Sequence, residues 1–447
     1  MIDLLYCLAL LVETRLMPHN KILRGAVVQT GIPQLDQETY LSVKTLKDSA
    51  KVTRALQIAF DEAELGMKEQ VELCGIPAPT FQEALRAEEI VRRMKAYGLS
   101  DVTTDDIGNV IGFRPGKGNG PVLAIGAHMD TVFPATTDVT VRQEGNRYFA
   151  PGIGDNCSGL RALLQIIRSL NEADIHTEGD IYFVATVGEE GLGDIRGSKY
   201  FVATHKIDGF IAIDNTEIGR ILKGAVGSHR YRITIEGPGG HSYANFGEVA
   251  SAIHAMCIAG NMIAHIKTPT NPKTTFTIGT IQGGTSVNSI APSCSVEIDM
   301  RSVNNEALLQ VESEILACFD KAVAEENALW SITDPAKQVH WKKENVGNRP
   351  AGMRPDDCPV LQVARSSLKA LGQELTNYGV SSTDANAPVS MGIPATCLSS
   401  GGIQHKCHTI HEYFDKVDIH LGPQLLILTA LGLVGCEGFK PLLPKRE

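Results

Sequence analysis

Hydrophobic and polar positions change period several times along the chain. From Glu38 to Cys74, and again over Gln82–Tyr97, apolar residues recur at helical spacing, ending at a turn on Gly98. Continuous apolar runs of strand length follow: Val110–Arg114, Pro121–Ile125 (PVLAI), Asp180–Val187 (DIYFVATV) and Gly209–Ile213 (GFIAI). Helical patterns at Gly159–Leu170 and Gly197–Thr204 separate them. Near-continuous apolar strands alternating with helices predict a parallel or mostly parallel sheet flanked by helices on both faces. In such sheets ligands bind at the carboxyl ends of the strands.

The texture changes near Gly224. His229–Glu236 (HRYRITIE), Lys273–Ile281 and Cys294–Arg301 alternate apolar with polar, Glu248–Ile266 and Asn305–Ala324 are helical, and Val339–Lys343 is weakly strand-like. This β-α-β-β-α-β order is the ferredoxin-like split unit, of domain size. After Pro350 the α/β texture returns with a helix over Val360–Gly372, a loop rich in Ser and Gly, and an apolar helix over Gln424–Val434. The expected fold class is α/β with an inserted ferredoxin-like α+β unit. The expected layout is an N-terminal extension over 1–37, a main domain over 38–224 and 348–447, and an inserted domain over 225–347.

The chain has 447 residues and a formal net charge of −10. An acidic balance without a basic stripe gives no footprint for phosphate backbones, so nucleic acid is not an expected partner. Ten Cys lie scattered with no CxxC pair, which argues against a disulfide framework or zinc knuckle and points to a reduced, cytoplasmic setting. The apolar stretch Leu4–Val12 (LLYCLALLV) is too short to span a bilayer and lacks signal-peptide flanks. The expectation there is an amphipathic helix or an irregular extension, with no membrane partner.

Acidic and His residues recur just after the predicted strands. His128 and Asp130 share one side of a strand end in GAHMDTV; Asp155 sits in the turn GIGDNCSG before a helix. Glu189 and Glu190 follow DIYFVATV, Asp214 follows GFIAI, and His408 lies late in GGIQHKCHTIHEYFD. Each alone is more often a cap or a surface group. As a set at neighbouring strand ends they would repel without a compensating cation, and two His with three carboxylates suit Zn²⁺. The adjacent Glu189 and Glu190 suit a division of labour in which one binds metal and the other stays free as a base. No HExxH helix, P-loop or GxSxG elbow is present.

The ordered series HxD, GxxDNxxG, GEEGxGDxxG, xxDN, GPGGHS, NSIxP followed by DxR, and HxxxE resembles the dinuclear zinc peptidase and amidohydrolase superfamily. It covers roughly Gly126 to Asp415 and is most similar to the peptidase T-like (tripeptide aminopeptidase) branch. The resemblance implies two divalent ions, zinc with cobalt or manganese as alternatives. It implies His128 and Glu190 on one ion, Asp214 and His408 on the other, and Asp155 bridging. Asp130 would orient His128, and Glu189 would be the general base for a hydroxide shared between the ions. His408 is selected over His411 because Glu412 stands four residues on, and Asp384 in SSTDANAP matches a recurrent loop near the metals. In the inserted unit, read as a lid and dimerisation domain, His241 would stabilise the developing oxyanion and Asn288 with Arg301 would bind substrate. His241 could reach the metals only by lid closure or across a dimer. The implied function is hydrolysis of peptide bonds in short peptides, toward which Asp rather than Glu at position 214 leans. The alternatives are an N-acyl amino acid deacylase or carboxypeptidase and, more distantly, an inactive binding protein.

Overall fold

A computed structural model describes residues 32–446. The Leu4–Val12 run and most of the expected extension lie outside the described residues. From Leu35 onward contacts group the chain into one compact unit. The first helical segment resolves into Gln37–Lys47, Ala50–Asp61 and Ala63–Cys74, followed by Ala84–Ala96. Asp36 caps the first, its carboxylate accepting from the Thr39 amide at 2.7 Å.

The main sheet has six strands in the order Asp101–Thr104, Val110–Arg114, Asp180–Thr186, Val122–His128, Gly209–Ile213, Ala395–Leu398. The four from Asp180–Thr186 to Ala395–Leu398 run parallel, and Val110–Arg114 is antiparallel to both its neighbours. Strand Val122–His128 is therefore internal, with a parallel partner on each side. One face packs Leu123, Ile125, Ile181 and Phe183 against the helices Cys157–Glu172 and Leu421–Val434. The other packs Ala124, Val184 and Phe210 against Phe201 and Ile393. Burying a side chain such as Phe183 contributes about 1.5–3 kcal/mol, and burial on both faces explains the unbroken apolar runs. Gly159 lets helix Cys157–Glu172 lie directly on the sheet, since a Cβ there would stand 2.6 Å from the Ile213 carbonyl.

Residues 227–349 build a separate four-stranded antiparallel sheet, ordered Thr274–Gly283, Ser293–Ser302, Gly227–Glu236, His340–Arg349. Helices Ala252–Ala264 and Asn305–Leu329 cover one face, where Ile233, Ile235, Val296, Ile298 and Phe319 form their own core. The opposite face carries Arg230, Arg232, Glu297, Asp299 and Arg301, the polar half of the alternation. The weak strand expected over Val339–Lys343 runs on to Arg349, with an irregularity between Asn345 and Gly347.

The region expected as a Ser- and Gly-rich loop after Gly372 is more structured. It holds strands Asn377–Ser381, Ala395–Leu398, Ile403–His405 and Tyr413–Asp415 and the short helix Asn386–Ser390. These strands have three to five residues, too few to establish a local period. Strand Asn377–Ser381 runs parallel to Arg220–Ala225, while Tyr413–Asp415 pairs with Arg147–Phe149.

Candidate metal centre

His128 is the last residue of the internal strand Val122–His128 and is 1% exposed. Its Nδ1 lies 3.1 Å from the Asp130 carbonyl and 3.4 Å from Asp130 Oδ1. Its Nε2 points the other way, 3.1 Å from Asp155 Oδ1 and 3.7 Å from Asp214 Oδ1. Asp214 directly follows the neighbouring strand Gly209–Ile213, so parallel pairing sets the two side by side.

Asp155 stands between both imidazoles, its second oxygen 3.1 Å from His408 Nε2. Glu412 holds the Asp155 turn from beneath. Its buried carboxylate accepts from the amides of Gly152 (2.9 Å), Gly154 (2.9 Å) and Asp155 (3.1 Å). Glu190 Oε1 lies 2.9 Å from His408 Nε2. The closest contacts thus pair His128 with Asp214 and His408 with Glu190, exchanging the outer carboxylates relative to the expectation from resemblance. His128, Asp155 and Glu190 nevertheless offer ligand atoms all within 4.8 Å of one another. Of the late histidines, His405 instead meets Asp415 at 3.1 Å, and exposed His411 lines a different cavity.

Asp130, fully buried, accepts from the Glu189 amide (2.9 Å), the Glu190 amide (3.0 Å) and Thr80 Oγ1 (2.8 Å). One carboxylate therefore aims both glutamates while standing beside the His128 ring. The turn that presents them depends on Gly188, whose φ is +62° and where a Cβ would lie 2.6 Å from the Arg196 side chain. Glu189 is buried and accepts from Arg349 Nη1 at 2.7 Å, and its carbonyl accepts from Arg349 Nη2. Arg349 closes the last strand of the inserted sheet. Asp384 is also buried and accepts from Thr186 Oγ1 at 2.5 Å, on the strand next to His128.

Burial pushes the Glu189 carboxyl well above the ordinary range, against the pull of Arg349. Burial likewise pushes Asp214 up to about 6, opposed by His128. Burial also acts to raise Asp155, but hydrogen bonds to His128 and His408 more than offset it and hold this carboxyl low. Bonds to Asp155 and Glu190 push His408 up to about 11. Opposed displacements within a few ångströms mark an acid-rich cluster that a multivalent cation would neutralise. His128 Nε2 and Asp155 Oδ1 are buried and lack hydrogen-bond partners, although they face each other at 3.1 Å. Unmatched nitrogen and oxygen ligand atoms at this spacing fit a divalent cation between them.

A cavity of about 410 Å³ opens over these groups. Arg301 lines it, as the resemblance implied, with Arg220, Arg230 and Arg349, which sequence reasoning missed. Arg230 and Arg301 both grip Asp299, at 2.8 and 2.6 Å, and Arg230 also donates to the Gly191 carbonyl at 2.8 Å. His241 and Asn288 are not among the lining residues. They sit together on an exposed ribbon pairing Gly240–His241 with Ser289–Ile290, where the Ser242 amide donates to the Asn288 carbonyl at 3.1 Å.

Residues 124–431 match peptidase family M20/M25/M40. The chain is 25% identical over 363 residues to "Uncharacterized protein YqjE" of Bacillus subtilis, covering 77% of this chain and 92% of that protein. It is 27% identical over 332 residues to an acetylornithine deacetylase of Buchnera aphidicola, covering 71% and 81%. Among solved structures, a tripeptidase of Staphylococcus aureus superposes with a TM-score of 0.68 at 24% identity, covering 82% of this chain and 97% of that one.

Proposed function

The chain belongs to peptidase family M20/M25/M40 and is a metal-dependent hydrolase; from that premise we propose that it cleaves peptide bonds in short peptides as an aminopeptidase. The observation that carries this reading is Glu189, a buried carboxylate lining the cavity, next in sequence to Glu190 and aimed by Asp130. His128 with Asp214 would hold one divalent ion, His408 with Glu190 the other, and Asp155 both, zinc being the expected metal. When bound, such ions make water acidic enough to ionise near neutral pH and polarise the scissile carbonyl. Glu189 takes the proton of the attacking water and returns it to the leaving amine nitrogen. Arg349 fixes one Glu189 oxygen, which leaves the other for that transfer. Arg301, whose Nε alone is bound to Asp299, offers its terminal nitrogens to a substrate carboxylate.

His241 and Asn288 enter the site across a homodimer in this reading. Their ribbon carries Tyr243 (90% exposed) and Val287 (fully exposed), and strand Thr274–Gly283 leaves one edge unpaired. Residues 227–349 then act as the lid and dimerisation domain of a two-domain enzyme in the cytoplasm. The second reading, an N-acyl amino acid deacylase or carboxypeptidase, draws on the likeness to acetylornithine deacetylase. Metal-reconstituted protein given a free tripeptide and its N-acetylated form separates the two by chromatography of products. Release of the N-terminal residue from the free peptide is expected; turnover of the blocked form alone would sink the aminopeptidase reading.

A further inference from the structure

Of the four arginines over the metal centre, three are engaged by the protein. Arg349 holds Glu189, while Arg230 and Arg301 hold Asp299. All three come from the inserted sheet. Arg220 differs in origin and in bonding. It opens strand Arg220–Ala225 of the main body, six residues after Asp214. The parallel neighbour, Asn377–Ser381, begins beside it with Asn377 opposite Arg220, and Ser381, Ser382 and Thr383, at and beyond that neighbour's far end, line the same cavity. The Arg220 backbone amide donates to the Glu217 carbonyl at 3.0 Å, but Nε is buried with no hydrogen-bond partner. Among the described residues its guanidinium has no carboxylate within salt-bridge distance. Glu217, the nearest acid in sequence on that turn, instead accepts from Thr376 Oγ1 at 2.7 Å.

A guanidinium held partly out of water without an acid is unfavourable unless a ligand supplies the counter-charge. It is also a planar, permanently charged fork suited to a carboxylate. We propose that Arg220 receives a carboxylate of the substrate other than the group Arg301 binds, so that this enzyme prefers substrates with an acidic side chain next to the scissile amide. The inference rests on the amide-hydrolase reading of the same site and adds its charge specificity.

The test uses the metal-loaded full chain as wild type, Arg220→Gln, Arg220→Lys and Arg220→Glu. Calorimetric titration with glutarate reads binding without turnover. Wild type binds it, and Arg220→Gln weakens binding about 10- to 100-fold, the range of a charge-assisted contact. In kinetics, kcat/KM is compared for alanyl-glutamate, alanyl-glutamine and alanyl-lysine, or for the matching N-acetyl amino acids if only those are cleaved. Wild type favours the glutamate substrate, Arg220→Gln abolishes that preference, Arg220→Lys keeps part of it, and Arg220→Glu shifts it toward lysine. Equal rates on all three substrates by wild type, or an Arg220→Gln variant that slows all three equally, would overturn the assignment. Glutarate binding that depends on Arg220 without cleavage of any amide would instead remove the hydrolase reading and leave the anion site standing. Should Arg220→Gln fail to fold, the wild-type preference and its partial retention in Arg220→Lys decide the matter.

Discussion

The two sheets of this molecule divide the chemistry between them. The main sheet is buried on both faces, and its strand ends carry His128, Asp214 and the Glu189–Glu190 turn at positions set by parallel register. The inserted sheet is buried on one face only, and its open face and last strand deliver Arg230, Arg301 and Arg349 over the cavity. Metal ligands need positions fixed to a fraction of an ångström, which close packing on both sides provides. The arginines that face the cavity stand instead on a sheet with its own core, exposed on one face. Arg349 is where the two regions meet at Glu189.

That contrast breaks first at Glu189, which the main sheet presents and the inserted sheet holds. Glu189→Gln should lower kcat by about 10²- to 10⁴-fold, the usual contribution of a general base, while bound metal stays at the wild-type level. Stopped assays with metal analysis of the same sample check this, and wild-type turnover by the variant would remove Glu189 as the general base. Next comes the independence of the inserted core. Phe319 is fully buried there, so Phe319→Ala should lower stability by about 3–5 kcal/mol in denaturant titration without draining metal at low denaturant. Loss of metal in step with loss of that core would mean that the two sheets are one cooperative unit.

The smallest effect is expected from Asp130, which acts on the main-sheet side alone. Asp130→Asn keeps the shape but presents an amide where two backbone N–H groups and Thr80 need an acceptor. Metal affinity should fall about 10- to 100-fold by calorimetric titration, the range for groups that orient metal ligands. Unchanged affinity would show that the backbone turn aims Glu189 and Glu190 without help.

The metal-binding candidates were legible because their signals are local. All but His408 stand at the end of an apolar run, one or two residues beyond it, or inside a glycine-flanked turn, so position along the chain translates directly into position at the sheet edge. The βαββαβ order was legible for the same reason: its strands are long enough to alternate. Strands such as Ala395–Leu398 and Ile403–His405 were not, because three or four residues cannot establish a period, and Ala395–Leu398 pairs with Gly209–Ile213, far away in sequence. Arg349 escaped because the periodicity fades after Lys343, where the strand carries an irregularity. Arg220 escaped because nothing in GRILKG distinguishes a cavity arginine from a solvated one.

By itself the amino-acid sequence determined which residues end the buried strands, which turns require glycine, and that carboxylates and histidines would gather on one side of the main sheet. Those outcomes follow from side-chain polarity and backbone sterics acting over a few residues. Only the tertiary structure decided which carboxylate stands beside which histidine, that Arg349 reaches Glu189 across 160 residues of chain, and that Arg220 has no acid at salt-bridge distance among the described residues. These depend on how separately formed elements pack, and distances between such elements are set by the packing of the whole core rather than by any segment of it.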